Sequence, residues 1–180
     1  MNDVKRNRIH NLAYQLREAL NIETSVTLKD VVENRLGGII EYVSDLRTNG
    51  NEIEAKIEKH KKSFKITINE NMIKTRNNFA IAHELGHLFI HMGYLINDKL
   101  WNSVDEYSDS VYFRFGYSEE ELEANEFAAA FQMPEDEYNN ILRQNINKDT
   151  INFDKIAHHF GVSIEAAVTR GKWLGIIAWD

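Results

Sequence analysis

The chain has 180 residues, of which 43% are hydrophobic and none is cysteine, and its formal net charge is -7. This length and apolar content favour one folded domain, and the lack of cysteine excludes thiol proteases, disulfide scaffolds and cysteine-bound metal sites. The acidic balance argues against a protein that wraps nucleic acid. No apolar run is long enough to span a bilayer and the N-terminus lacks a signal-peptide pattern, so we expect a cytoplasmic protein with no membrane partner.

The N-terminal third is predicted to combine two helices with three strands. Apolar residues at helical spacing indicate a first helix over residues 4–20, and Thr27 is a candidate N-cap for a second helix over 28–36. The pattern then changes to that of strands, which are predicted at 39–43, 52–57 and 64–68. Because Lys65 and Thr67 alternate with apolar residues, we expect the third strand to have one solvated face.

The rest of the chain is predicted to be mainly helical. A strongly apolar helix is expected over residues 76–92, followed by an irregular stretch at 93–116 with room for one short strand at 111–115. Ser118 and Glu121 form a capping-box pattern at the start of a helix that runs to about residue 133. Three further helices are predicted at 135–143, 154–160 and 164–174.

Acidic residues are concentrated between Asp98 and Glu137, where 12 acidic side chains accompany only 2 basic ones. Such a block is either a solvated face or a carboxylate-rich region beside a cation or a basic partner. Glu119, Glu120 and Glu126 are expected to be solvated helix charges. A further hypothesis is that the block biases a cleft toward a basic, DNA-binding substrate.

One motif in the predicted apolar helix is typical of a metal-binding catalytic site. His83, Glu84 and His87 form an H-E-x-x-H pattern, in which two histidines one turn apart can chelate a single zinc ion. Glu84 is then the candidate general base for a metal-bound water. The alternative is a buried structural helix whose histidines bond to carbonyl groups. Burying polar side chains in such a helix lowers stability unless they serve a function. Gly86 also lowers helix stability by about 1 kcal/mol relative to alanine, which indicates that a neighbouring segment packs closely there.

A catalytic zinc site needs a third protein ligand. The metzincin pattern is excluded, because residues 90 and 93 are Ile90 and Gly93 rather than glycine and histidine. His91 lies too far along the helix to complete a compact site with both histidines. It is therefore a candidate for contact with a ligand or with substrate. A carboxylate from a second helix remains, as in thermolysin-like sites.

The helix that begins after Ser118 offers such a carboxylate. By their spacing, one face of this helix contains Glu121, Ala124, Asn125 and Ala128. The small residues would let the helix approach another helix closely, and Gly86 is the expected contact point. Glu121 is therefore the favoured third ligand, with Glu123 as its competitor. Asn125 is expected to accept a hydrogen bond from the outer nitrogen of a ligand histidine. Tyr94, Tyr117 and His91 are candidates for stabilising an oxyanion.

Two longer motifs carry a resemblance to a known family. Residues 76–87 follow the pattern R-x-x-F-x-x-A-H-E-L-G-H, and residues 121–134 follow E-x-E-A-N-x-F-A-A…M-P. Over about residues 30–178 the chain resembles the ImmA/IrrE family of metallo-endopeptidases. A minor departure is Phe131-Gln132 where the family often has two leucines before Met-Pro.

The resemblance implies zinc at His83, His87 and Glu121, with Glu84 as catalytic acid and base. It also implies an α+β fold with a zincin-like core, in which a small antiparallel or mixed sheet of about three strands packs on the H-E-x-x-H helix. The strand at 64–68 would be an edge that pairs with extended substrate. The expected substrate is a helix-turn-helix repressor of a phage, a mobile element or a stress regulon.

On this interpretation residues 1–180 form a single metalloprotease domain. Its parts would be an N-terminal helix at 1–26, a catalytic core at 27–133 and a C-terminal helical segment at 134–180. An alternative function is that of a non-cleaving, zinc-stabilised partner of a repressor or antitoxin. The pattern of apolar and turn residues at 156–167 resembles a helix-turn-helix. The second helix has only Arg170 and Lys172 as basic residues, so we expect no direct nucleic-acid contact.

Overall fold

A computed structural model of the chain describes residues 1–23, 26–48, 50–71, 74–104, 118–147 and 150–178, with the side chains of 74–76 excepted. Tyr117 and the short strand predicted at 111–115 lie outside the described residues. Across the described ranges the fold is α+β, with eight helices and a three-stranded mixed sheet, as predicted. None of the helices in these ranges is long and apolar enough to cross a membrane.

The N-terminal helices form where apolar spacing, and for the second helix the Thr27 cap, predict them. Helix α1 spans Asp3–Ala19, and the Asn2 side chain accepts a hydrogen bond from the backbone N–H of Lys5. Helix α2 spans Leu28–Asp30, is capped by Thr27 and continues as a π-helical turn over Val31–Arg35. The widened turn is a feature that the apolar spacing does not predict.

The sheet differs from the prediction in the bounds of the second strand and in the position of the third strand. Its strands and the small hairpin beside it are β1 (Ile39–Val43), β2 (Arg47–Thr48), β3 (Asn51–Glu52), β4 (Ala55–His60) and β5 (Ser63–Asn69). The predicted strand at 52–57 is divided between β3 and β4. In the sheet, β5 lies at the centre, parallel to β1 and antiparallel to β4. The expectation that the strand at 64–68 is an edge is therefore wrong, and β4 is an outer strand instead.

The predicted solvated face of β5 is present only in part. Lys65 is half-buried and forms ion pairs with Glu41 and Glu58 on the flanking strands. Thr67, on the same face, is buried. A central strand has neighbours on both sides, which cover side chains that an edge strand would leave exposed.

Three helices follow the sheet. Helix α3 spans Lys74–Gly86 and continues as a π-helical turn over His87–His91. Helix α4, at Asp98–Ser103, forms inside the stretch predicted to be irregular. Helix α5 spans Glu119–Gln132, and the Ser118 hydroxyl accepts a hydrogen bond from the Glu121 backbone N–H at 3.2 Å, which confirms the predicted cap.

The C-terminal region is helical, as predicted, with one additional hairpin. Its elements are α6 (Glu135–Gln144), β6 (Ile146–Asn147), β7 (Thr150–Ile151), α7 (Phe153–Phe160) and α8 (Ile164–Trp173). These helices enclose a small apolar cluster that includes Tyr138, Ile156 and Phe160. The main core is separate from this cluster and includes apolar residues of the sheet, α1, α3 and α5. Helix α5 packs against α3 and against α1, so it connects the motif helix to the N-terminus.

Candidate metal centre

The two motif helices meet at Gly86, as the small residues predict. A Cβ atom placed at Gly86 would lie 2.9 Å from the Ala124 Cα and 3.1 Å from the Ala124 carbonyl oxygen, closer than side chains normally approach backbone. Glycine is therefore the residue that permits this spacing. The close approach brings the first turn of α5, with Glu121, opposite the histidines of α3.

Glu121 and the two motif histidines form a compact group of three potential metal ligands. The His83 and His87 Nε2 atoms are 3.1 Å apart, and each lies 3.3 Å from an oxygen of Glu121. All three residues are buried, and their ligand atoms lie within 4.8 Å of one another. Within the part of the chain that the structure describes, this is the one such group of histidine and acidic side chains.

The spacing of these atoms fits a single small metal ion. Ligands bound to zinc in a tetrahedron at about 2.0–2.1 Å are separated from each other by about 3.3–3.4 Å. The observed separations of 3.1 and 3.3 Å are close to this value. Two imidazoles and one carboxylate are also a donor set that zinc accepts, with a fourth position left for water or substrate.

The outer nitrogens of both histidines have hydrogen-bond partners. Asn125 Oδ1 accepts a hydrogen bond from His83 Nδ1–H at 3.0 Å, as expected from its position one turn after Glu121. The Nδ1 atoms of His87 and His91 are 2.9 Å apart. When a ring carries its proton on Nδ1, the lone pair of Nε2 is available for a metal.

The electrostatics of Glu121 favour its ionised form. Burial by itself raises the pKa of the Glu121 carboxyl, but the His83 and His87 side chains outweigh this effect and hold the pKa well below its usual range. A carboxylate that stays ionised over the physiological pH range is the form that binds a cation.

Glu123, the competitor for the third ligand position, points away from this group. Its Oε2 atom lies 3.4 Å from His91 Nε2, and its Oε1 atom forms an ion pair with Lys5 of α1. The geometry therefore brings Glu121, and not Glu123, to the two motif histidines. Burial, together with the neighbouring His87 ring, lowers the pKa of His91 from 6.5 to about 4.

Two of the oxyanion candidates differ from expectation in their surroundings. The Tyr94 hydroxyl donates a hydrogen bond to the Leu36 carbonyl oxygen at 2.8 Å, and its ring packs on Phe64 and Trp101. This hydroxyl therefore bonds within the core. His91 lies behind His87, in contact with Glu123.

Glu84 lies beside the candidate metal ligands at a cleft. The side chain is buried, and it lines a cavity of about 310 Å³ together with His83, Glu121 and Asn125. The cavity is also lined by residues 52–54, which comprise the last residue of β3 and the two residues before β4 and which form the wall beside β4. The sequence predicted residues 52–57 as a strand but did not assign them to the site, because no motif relates them to the H-E-x-x-H helix.

Basic residues of α1 neutralise much of the acidic block on α5. Lys5 forms ion pairs with Glu119, at 2.8 Å, and with Glu123. Glu119 is exposed, as predicted, but Glu123 is buried. The contribution of Lys5 was missed in the sequence, since no local pattern relates it to residues more than 110 positions away.

The expectation that Glu126 is a solvated charge is wrong. Its side chain is only 9% exposed and lies 2.6 Å from His10, 3.5 Å from Arg6 and 3.8 Å from Arg170. Burial raises the pKa of the Glu126 carboxyl, but these neighbours lower it overall. Arg170 is itself 2% exposed and donates to the Met133 carbonyl oxygen, so it is not placed to contact nucleic acid.

Comparisons with known proteins agree with the family resemblance and with the fold. The model of the family described as Peptidase_M78, IrrE N-terminal-like domain, matches residues 46–172. No curated protein sequence matches the chain significantly. A solved structure described as a Mycobacterium tuberculosis transcriptional regulator is similar with a TM-score of 0.60 at 15% identity, over 92% of this chain and 46% of that one. This likeness shows the fold alone, and the present chain spans about half the length of that protein.

Proposed function

Because this chain belongs to the Peptidase_M78 family of IrrE N-terminal-like domains and so carries a metallopeptidase-type domain, we propose that it is a zinc-dependent metallo-endopeptidase. The observation that carries the proposal is the convergence of His83, His87 and Glu121, with Glu84 at the same cleft. The donor set and its spacing suit zinc. The arrangement is of the gluzincin type, with the third ligand supplied by a second helix.

In this mechanism His83, His87 and Glu121 would hold the ion, and Glu84 would move the proton. Zinc, when bound, supplies Lewis acidity that polarises a carbonyl group and makes water a better nucleophile. The Glu84 carboxylate takes a proton from the attacking water and passes it to the nitrogen of the departing amine. Asn125 keeps the His83 ring oriented through the hydrogen bond to Nδ1.

The proposed substrate is a helix-turn-helix repressor of a phage, a mobile element or a stress regulon, cleaved in an extended segment. Residues 52–54 lead into the outer strand β4 and line the cleft, so an extended peptide would run beside them. Glu52 and Glu54 are exposed on this wall. Their charges would favour a basic peptide, which fits a DNA-binding substrate.

The proposal is tested by metal analysis together with cleavage of a co-expressed helix-turn-helix repressor encoded beside this protein. We expect about one zinc per chain in the wild type, loss of zinc in His83→Ala, and retention of zinc without cleavage in Glu84→Gln. A metal-free wild type, or full cleavage by Glu84→Gln, would contradict the proposal. A wild type that binds zinc and the repressor but leaves the repressor intact would favour the non-cleaving alternative.

A further inference from the structure

We propose that His91 and Glu123 are positioning residues for the metal site, which fix the His87 ring through a relay of two hydrogen bonds that Lys5 of α1 anchors. The inference rests on the proposed function, since it concerns how one of the three metal ligands is presented. It assigns a role to Glu123, which is not placed to be a ligand, and to a helix outside residues 46–172, the region matched by the family.

The donors and acceptors of the relay suit a His87 ring that binds a metal through Nε2. Such a ring carries its proton on Nδ1, which lies 2.9 Å from His91 Nδ1, so His91 is the acceptor there. The proton of His91 is then on Nε2, 3.4 Å from the Glu123 Oε2 atom, and a carboxylate oxygen accepts it. In this arrangement the Nε2 lone pair of His87 is directed to the ion held with His83 and Glu121.

The shape of the polypeptide supports this relay. His87 and His91 are the first and last residues of the π-helical turn, which the Met92 N–H closes by donating to the His87 carbonyl oxygen at 3.0 Å. Their ring centres are 4.9 Å apart. Widened turns of this kind are uncommon in proteins and recur at functional sites. Here the turn places two imidazoles side by side.

Burial makes these bonds effective in setting ring orientation. The side chains of His87, His91 and Glu123 are each less than 10% exposed, so water competes little for their polar atoms. A buried carboxylate needs a compensating charge, and Lys5 supplies it through an ion pair with Glu123 Oε1. The four residues thus extend from the metal site to α1.

The relay is tested with variants that separate its hydrogen bonds from packing. His91→Phe keeps the ring volume but removes the acceptor. His91→Asn restores an acceptor oxygen near the position of Nδ1, and Glu123→Gln removes the negative charge without changing shape. Glu119→Gln is the matched control, since Glu119 also pairs with Lys5 but is exposed and does not contact His91.

The first measurement is zinc affinity, by competition with a chromogenic chelator on the full chain. We expect His91→Phe and Glu123→Gln to bind zinc about 10–100-fold more weakly, the usual effect of losing such a partner. His91→Asn should recover most of the loss, and Glu119→Gln should match the wild type. Unchanged affinity in both His91→Phe and Glu123→Gln would overturn the relay.

The second measurement reports on the ring directly in the zinc-loaded protein, where Nε2 of His87 is taken by the metal. NMR spectra of imidazole N–H protons should show a His87 Nδ1–H proton that is shifted downfield and exchanges slowly with water, because it is buried and donates to His91. A His87 Nδ1–H proton that exchanges rapidly, or that is unchanged in His91→Asn and Glu123→Gln alike, would refute the relay even if His91→Phe does not fold. Wild-type protein that binds zinc and shows this proton but does not cleave would instead refute the proposed function.

Discussion

The contact between Gly86 and Ala124 leads to a prediction in which two effects of one methyl group oppose each other. Gly86 has ordinary helical dihedral angles, φ -58° and ψ -49°, so alanine would fit the backbone without strain. Helix propensity by itself would favour Gly86→Ala by about 1 kcal/mol. The sign of the net effect is therefore decided by packing between α3 and α5.

The packing cost follows from the atoms that the new methyl group would meet. The nearest are the Ala124 Cα at 2.9 Å and the Ala124 carbonyl oxygen at 3.1 Å, which belong to the backbone and cannot rotate away. Carbon atoms prefer separations of about 3.5–4.0 Å, so the helices would have to separate by about 0.6 Å or more. Overpacking costs about 1–3 kcal/mol, and because the neighbouring atoms here are backbone we expect the upper part of that range, about 2–3 kcal/mol, which exceeds the gain from propensity.

We therefore expect Gly86→Ala to lower the free energy of unfolding of the metal-free protein by about 1–2 kcal/mol, measured by urea denaturation. Zinc affinity should fall as well, because His83 and His87 lie on one helix and Glu121 on the other. A site tolerates displacements of only about 0.5 Å before its geometry is lost.

A double variant identifies the responsible atoms. Ala124→Gly removes only the Cβ contact of 3.3 Å and leaves the Cα and the carbonyl oxygen in place. Adding Ala124→Gly to Gly86→Ala should therefore restore neither stability nor zinc affinity. If Gly86→Ala is as stable as the wild type and binds zinc equally well, the close approach of α3 and α5 does not determine the site.

Two further predictions concern residues outside the candidate metal group. Glu126→Gln should lower the free energy of unfolding by about 3–5 kcal/mol, because buried Arg170 would lose its carboxylate neighbour. The folded pKa of Glu126 lies below the ordinary value of 4.5, so its contribution to stability is complete above about pH 4.5 and is lost as the pH falls through the folded pKa. Urea midpoints of the metal-free protein should drop on acidification, less steeply in Glu126→Gln; equal slopes would contradict this. Lys59→Met should loosen α4 and cost about 1–3 kcal/mol, because Lys59 donates to the carbonyl oxygens of Trp101 and Val104 at 2.7 and 2.9 Å. Hydrogen exchange at 98–104 tests this prediction, and unchanged rates there would count against it.

The parts of the site that were predictable from sequence depend on local periodicity. The positions of Glu121 and Asn125 on one face of α5 follow from helical spacing, and the small residues indicate where that face is packed. The partner of Asn125 could be anticipated because a ligand histidine has only one outer nitrogen. The structure brings both side chains to the motif histidines, as that reasoning expects.

The parts that were not predictable depend on contacts between distant segments. Glu126 has the spacing of a solvated charge, and its burial is explained only by His10 and Arg170, which lie 116 and 44 positions away. The order of strands is a problem of the same kind. The alternation of apolar and polar residues along β5 shows which side chains share a face, but it does not show which strands pair with β5 on either side. One of those neighbours is β1, which is separated from β5 in the chain by the β2–β3 hairpin and by β4.

These long-range pairs change what the net charge of the chain indicates about function. The acidic residues of α5 are concentrated opposite the cations of α1, where Glu123 and Glu126 serve buried structural contacts. Their charge is largely neutralised within the fold, so it contributes little to attraction of a basic partner. The exposed carboxylates at the cleft are instead Glu52 and Glu54, from a segment far from the acidic block in sequence. Among the residues that the structure describes, an electrostatic preference for a basic peptide at the cleft would therefore arise from the wall beside β4. The acidic helix α5 instead connects α1 to the metal ligands.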